Sequence, residues 1–528
     1  MIASPSQSRF SLSEGWVGPF PEADFVICSG SDCHSWTLPQ ARWYFEHEIV
    51  ALPRADLAVA GFARGVAASD DVAQWATQRN IGATADHPPL VWVGSAATLR
   101  GAQLSSDGTR IDAGAGSWRF STVPKIPLNR SYFDATSVAY LCARTLKVRG
   151  THNGGTFTAR TTWPEEFRLD DAVSTQATPR TADALRQLIR TQPHGGATSP
   201  FAATVLWERN PGARSWQGQP VLALLLNGAQ GDDDEAHGGH FALVTGRVGE
   251  AGAIGDWLAN NFYTLDSFSE KDIIAAPTPL DNYLADLNSG QAWYRPSYLL
   301  VAILSDERTT THLQSALGRV YNQFYRHQLV YEHATMNCAG ISIDVLHALG
   351  WKVPTRGPTS RLLAALSLPW NALRQRSVDK AIQAYDYLTE DRTRLFPAAA
   401  FEDIGADMLG LASGRCQRPL GSLESMLVQD IEAIAWLRVP QLPSSRAWGD
   451  YPVDTAWEYT RRVPRSPADR KIIPVPPRLL PTLLRDSDLL PAPRRQGEYA
   501  IVAWAVLSVV GIPWLLWRAW RRRRARAT

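Results

Sequence analysis

The chain has 528 residues, enough for two or three domains with sizeable cores. Its 53 basic and 51 acidic residues nearly cancel, which argues against bulk nucleic-acid binding, and its 20 tryptophans point to large cores, buried pockets or interfacial contacts. Cys28 and Cys33 suit a disulfide or half a metal site, but no second pair matches them, and five cysteines give no legible disulfide framework.

Residues 1–190 read as a β-rich domain without an assignable role. Trp43 to Leu52, Pro89 to Val93, Ser117 to Val123, Ser137 to Ala143 and Thr156 to Thr162 have strand composition between Gly, Asp and Pro breaks. Ala182 to Ile189 predicts a short helix, and Gln192 to Pro200, with Gly195 and Gly196, predicts a linker. Val221 to Leu226 is a continuous apolar run suited to a buried strand. The acids Asp232 to Glu235 precede His237 and His240, but adjacent acids in a Gly-flanked loop read as a solvated turn, because metal ligands are spaced to converge. Neither a metal nor a cofactor is expected.

His240 opens a strand-like run to Val248, and after the Gly-rich turn 249–255 a second run extends from Asp256 to Asp266. The two predict a hairpin with a longer loop. Arg295 to Leu304 reads as another strand of the same sheet, and Leu313, Leu317, Val320, Tyr321 and Phe324 mark an amphipathic helix. The run Asn337 to Leu349 then predicts a helix that Asn337 caps and Gly350 stops, with Cys338 in its first turn. A lone helical cysteine is more often a small buried hydrophobe than a nucleophile. At a helix N-terminus, however, the dipole favours the thiolate, and an upstream histidine supplies a base.

The pattern therefore predicts Cys338 partly exposed at the helix start, with His240 facing it from an adjacent strand as base and Asn261 orienting the imidazole. Register decides the third residue: pairing of position 240 near 261 or 263 selects Asn261, and other registers leave Asn260 or Asp266. His237 reads as a loop residue, and His327, His333 and His347 as solvated or helix-surface groups.

A histidine opening a strand, a polar residue on the next strand and Asn-Cys at a helix start resemble the circularly permuted papain-like superfamily of NlpC-type and lecithin:retinol acyltransferase-like cysteine enzymes, including its bacterial membrane-associated branch. The likeness runs from about Pro220 to Pro354, with the cysteine after the histidine as the permuted order requires. The chain departs from it in a long insertion that includes Asn282 to Pro296. The resemblance implies amide hydrolysis on a peptide or peptidoglycan stem, or acyl transfer from a lipid.

From Leu362 helical patterns dominate, as in Ala381 to Leu388 and Ser425 to Leu437, and Val439 to Pro493 is a Pro/Arg-rich tether or a surface-hugging strap. Ala500 to Trp517 carries no charge and as a helix spans about 27 Å, so a single transmembrane helix and a lipid-bilayer partner are expected. The arginines after it put the C-terminus in the cytoplasm by the positive-inside rule. The absence of an apolar leader in Met1 to Phe10 favours instead a cytoplasmic body.

The expected fold is α+β, in six segments: a β-rich domain 1–190, a permuted papain-like catalytic domain 195–370, a helical region 371–438, a tether 439–498, a transmembrane helix 499–520 and a basic tail 521–528. The expected function is a membrane-anchored thiol hydrolase or acyltransferase using Cys338, His240 and Asn261, with no nucleic-acid partner. The competing class is a non-catalytic, membrane-tethered scaffold or binding protein that retains the fold.

Overall fold

The computed structural model describes residues 15–79, 85–114, 116–124, 133–230, 237–265, 273–288, 295–444, 448–470, 478–486, 499 and 518. The fold is α+β. Strands β1 (Trp16–Val17) and β2 (Phe20–Pro21) pair, and β3 (Phe25–Ser29), β4 (Ile49–Pro53) and β5 (Val91–Trp92) form a three-stranded sheet, with helices α1 (Pro39–Phe45) and α2 (Ala68–Gln78) in its connections. A closed five-stranded barrel follows, of β6 (Ala97–Leu104), β7 (Arg110–Ala113), β8 (Gly116–Thr122), β9 (Leu146–Asn153) and β10 (Thr156–Pro164), with α3 (Ala135–Cys142) between β8 and β9. Its order is β10-β8-β7-β6-β9, and closure leaves no free sheet edge.

Either side of helix α4 (Ala182–Arg190) the chain builds an eight-stranded sheet. It comprises β11 (Ser174–Thr175), β12 (Ala202–Glu208), β13 (Pro220–Asn227), β14 (His240–Arg247), β15 (Leu258–Asn260), β16 (Pro277–Pro279), β17 (Ser297–Leu304) and β18 (Ile431–Val439), in the order β11-β12-β18-β17-β13-β14-β15-β16. Every residue of β13 and β17 is buried, and so is all of β14 but its last residue, because both faces of the sheet are covered. Leu222, Leu224, Leu226, Phe241 and Leu243 face one core with α6 (Arg308–Tyr325), α7 (Cys338–Ala348) and α11 (Pro397–Ala412), into which β4, α1 and Trp92 also pack. Val221, Ala223, Leu225, Ala242 and Val244 face a second core with the buried helix α5 (Leu280–Ala285) and Trp163 and Phe167 from the end of the barrel.

A buried ionic cluster ties barrel to sheet. Lys147 and Arg149 project from β9, and both reach Asp256 at 2.7 Å and Asp281 on α5 at 3.0 and 2.8 Å. Burial alone pushes the Asp281 carboxyl up, but Arg149 and Lys147 more than offset it and hold the group below the usual carboxylate range.

Several sequence expectations are corrected. Ser137 to Ala143 lies in a helix, α3, because Asp134 caps it by accepting from the Thr136 N–H at 2.9 Å. Trp43 belongs to α1. Ser425 to Leu437 is not one helix: α12 (Ser422–Asp430) ends where β18 begins, and β18 is an interior strand between β12 and β17. The sheet thus draws on residues from 174 to 439, beyond the expected bounds of 195–370. The linker expected over Gln192 to Pro200 is tied down, since Gly195 is buried with φ +59° and its carbonyl accepts from the Tyr298 hydroxyl at 2.7 Å. The second hairpin strand shrinks to three residues. Cys28 and Cys33 form a disulfide.

The transmembrane expectation is also corrected. Among the described residues no helix is long and apolar enough to cross a membrane. Ala500 to Trp517 lie outside the described residues, so the single-pass anchor and the membrane localisation resting on it are set aside.

Removing one partner of a buried ion pair strands the other charge. Asp281→Ala is expected to lower the unfolding free energy by about 3–5 kcal/mol in denaturant titration. A loss below about 1 kcal/mol, the range of exposed pairs, would mean that the cluster does not hold the barrel in place.

Candidate active site

The cysteine sits where its helix begins. Asn337 is extended, and its carbonyl oxygen accepts from the Gly340 N–H at 2.9 Å, while its amide donates to the carbonyls of Leu395 at 2.9 Å and His333 at 3.1 Å. Asparagine thus uses both ends of its amide, and Cys338 becomes the first residue of α7. The Phe241 and Ala339 N–H groups and the Tyr331 hydroxyl surround the Cys338 sulfur and favour its charged form. Burial nevertheless dominates and pushes the thiol above its ordinary value, against those donors and the nearby Arg295 charge. The expected partly exposed thiolate is therefore corrected: Cys338 is 3 % exposed and its helix-start position is outweighed by desolvation.

The histidine is placed by the glycine before it. Gly239 has φ +69°, and a Cβ there would lie 2.5 Å from the Asn227 carbonyl oxygen, so only glycine lets the chain turn close enough to start β14 at His240. His240 stands opposite Asn227, which stands opposite Ser297 on β17. Asn227 donates to the Ser297 hydroxyl at 2.9 Å and accepts from the Tyr283 hydroxyl at 2.5 Å.

Asn261 hydrogen-bonds the His240 ring. The ladder of β14 with β15 sets Leu243 opposite Asn260 and ends there, so His240 and Asn261 both lie just beyond its last pair. The Asn261 amide donates to the Ile274 carbonyl, which leaves its oxygen to accept from the imidazole. His240 Nε2 is buried and has no hydrogen-bond partner among the described residues, so the Asn261 contact falls on Nδ1. Asn260 is held elsewhere, donating to Leu243 O at 3.1 Å and exchanging bonds with Gln314 at 3.0 and 2.9 Å. Asp266 lies outside the described residues, as do Asp232 to Glu235. The imidazole is pushed down to about 3, first by burial and then by the Arg295 and His333 charges, against the opposing Asn261 bond.

Cys338 and His240 come together through a neighbour. The Phe241 N–H, which favours a charged sulfur at Cys338, is next to His240, and no direct hydrogen bond joins the thiol to Nε2. His237 turns away: its carbonyl accepts from the Val453 N–H at 3.0 Å, and its ring meets Tyr459 edge-on.

Sequence reasoning missed four contributors, Tyr331, Arg295, Tyr283 and Asn227, and assigned His333 to the solvated groups. Tyr331 precedes the cysteine by seven residues in a loop with no periodic signal. Tyr283 and Arg295 fall in the insertion that has no counterpart in the family pattern. His333 is indeed exposed, yet its charge acts on His240, and its ring lies edge-on to Tyr331 at 5.2 Å.

Two expectations follow from this electrostatics. Alkylation of Cys338 should still accelerate above pH 9, since the thiol is raised, whereas a plateau from about pH 5 would indicate a thiolate–imidazolium pair. For His240 the folded value, about 3, lies below the ordinary 6.5, so its stabilising contribution is complete above pH 6.5 and is lost as pH falls towards 3. The wild-type minus His240→Gln difference in unfolding free energy should shrink through that window by up to roughly 1.4 kcal/mol per pH unit; a flat difference would show that the imidazole titrates normally. Comparisons with protein-family models, curated proteins and solved structures found no match for the chain.

Proposed function

We propose that the chain is a thiol hydrolase or acyltransferase that attacks an amide or ester carbonyl with Cys338, uses His240 as base and Asn261 as the residue orienting it, and follows the permuted papain-like arrangement. One observation carries this reading. An imidazole steadied by a buried asparagine presents a buried, unpartnered Nε2 on the strand against which the Cys338 helix packs.

Because burial disfavours both charged forms, the pair rests as thiol and neutral imidazole. Nε2 takes the thiol proton as the sulfur–carbon bond forms and the carbonyl π pair moves to oxygen. Donors around the resting sulfur, the Ala339 N–H at the helix start above all, are then free to receive the oxyanion. Collapse expels an amine or alcohol, which leaves with the proton from the imidazolium and a thioester on Cys338. Water or an acceptor nucleophile attacks the thioester as the same imidazole removes its proton, and collapse breaks the carbon–sulfur bond, releasing the acid or the new acyl product while the imidazolium returns the proton to Cys338.

A binding role without chemistry is the second reading, and the depth of the thiol is what favours it. A thiol-directed acyloxymethyl ketone, whose methylene carbon the sulfur alkylates as the carboxylate leaves, separates the two. Covalent labelling is expected in wild type, none at position 338 in Cys338→Ala, a loss of about 10²-fold or more in rate for His240→Ala, and a smaller loss for Asn261→Ala. Equal labelling of the wild type and Cys338→Ala proteins would eliminate the catalytic reading.

A further inference from the structure

We propose that the helical hairpin of α8 (Arg361–Gln375) and α9 (Val378–Thr389) lays its outer face on an anionic lipid surface. The proposal goes beyond the thiol chemistry above and does not rest on it.

Two serine caps shape the hairpin. The Ser360 hydroxyl accepts from the Leu363 N–H at 3.1 Å where α8 begins, and the Ser377 hydroxyl accepts from the Lys380 N–H at 3.3 Å where α9 begins. The two helices pack on each other, with Ala364 and Leu368 of α8 and Ala381 of α9 buried. Leu362, Leu366, Trp370 and Leu373 follow one another at spacings of four, four and three, so they line one stripe of α8. Each of these four is at least 50 % exposed, and Leu363 and Val378, the first residue of α9, are exposed too. A stripe of leucine and tryptophan left in water marks an interaction surface. The charges around it choose the partner. From 361 to 389 the exposed charged side chains are Arg361, Arg374, Arg376 and Lys380, against a single acid, Asp379. Pairing the stripe with that of a second copy sets arginine against arginine whether the helices run parallel or antiparallel, whereas an anionic partner neutralises them. Leucine and tryptophan on one face, with arginine and lysine at its rim, is the composition that sinks partway into the headgroups of an anionic bilayer. Such contact runs along the lipid surface and needs no helix long enough to cross it. The face is also linked to the candidate site. Beyond α9 the chain enters the short helix α10 (Arg392–Leu395), and the Leu395 carbonyl accepts from the Asn337 amide at 2.9 Å, at the cap of the Cys338 helix.

Sedimentation of the full chain with lipid vesicles tests this. The wild type is expected to bind phosphatidylcholine vesicles containing phosphatidylglycerol about tenfold or more tightly than phosphatidylcholine alone, with the difference fading as salt is raised. Leu366→Glu combined with Trp370→Glu puts carboxylates at exposed positions, where the fold is little affected, and should weaken binding to the mixed vesicles about tenfold or more. Arg374→Glu combined with Arg376→Glu should remove the preference for the anionic vesicles while changing the binding to phosphatidylcholine little. Absence of vesicle binding by the wild type would overturn the proposal. So would equal binding by the wild type and the Leu366→Glu/Trp370→Glu protein, which would assign lipid contact to another part of the chain. Self-association of the lipid-free wild type, lost in that variant and unaccompanied by vesicle binding, would overturn it in favour of a second copy. Capture of a synthetic acidic amphipathic peptide, again without vesicle binding, would overturn it in favour of a protein partner. None of these readouts involves Cys338 labelling, so the lipid surface and the thiol chemistry stand or fall separately.

Discussion

Burial of the central strands on both faces decides where polar chemistry can occur. Within β13, β14 and β17 almost every side chain is apolar and covered, so a polar group survives there only with a partner at hand. Thr245 meets this with Gln314 at 2.6 Å. Three of the other polar residues, Asn227, His240 and Ser297, lie in one row at the end of the sheet. There β15 has ended its ladder with β14 at Leu243 and Asn260, and the N-terminus of α7 brings Cys338 to the Phe241 N–H. The candidate site is the place where a doubly covered sheet stops being a sheet.

The same burial fixes the protonation states. Moving the imidazole from 6.5 to about 3 corresponds to roughly 5 kcal/mol in favour of its neutral form. At Cys338 desolvation likewise outweighs the surrounding donors and the nearby positive charge and raises the thiol, and a helix terminus, worth typically ~0.3–1 kcal/mol, does not reverse it. The donors around the sulfur are therefore better suited to a charge that develops during reaction than to one held at rest. A neutral pair also removes the need for a standing ion pair inside a core.

How much of this was legible in the sequence follows the length and regularity of each signal. Val221 to Leu226, Arg295 to Leu304 and the helix from Asn337 to Leu349 were readable because long apolar runs and a complete capping pattern leave few alternatives. Asn261 was one of three choices that register left open, and since the ladder ends at Asn260 without pairing His240, no strand pattern could choose between them. The burial of Cys338 was not readable, because helix position favours a thiolate while tertiary packing, invisible in a local pattern, opposes it more strongly. β18 was missed since Ile-Glu-Ala-Ile-Ala-Trp-Leu-Arg-Val is short, apolar and continuous with a helix before it, and only its neighbours in the sheet make it a strand. Ser137 to Ala143 failed in the opposite sense, a short apolar run turned helical by the Asp134 cap.

The residues before 190, which carried no role by themselves, acquire one through α5. That helix has only six residues, too few to hold its own shape, and is fixed from outside. Asp281 binds Lys147 and Arg149 of the barrel, Asn282 donates to the Val93 carbonyl at 2.6 Å and accepts from the Thr161 hydroxyl at 3.0 Å, and Leu287 donates its N–H to the Arg160 carbonyl at 2.8 Å. Between Asp281 and Leu287 lies Tyr283, whose hydroxyl bonds Asn227, the direct cross-strand neighbour of His240. The barrel and the strand β5 region thus hold in place Tyr283, a side chain that reaches the row containing the histidine. A change at the ionic cluster would be felt at His240 through two hydrogen-bonded residues, without any contact between barrel and imidazole. The N-terminal region is therefore better understood as the support of the site than as a separate module beside it.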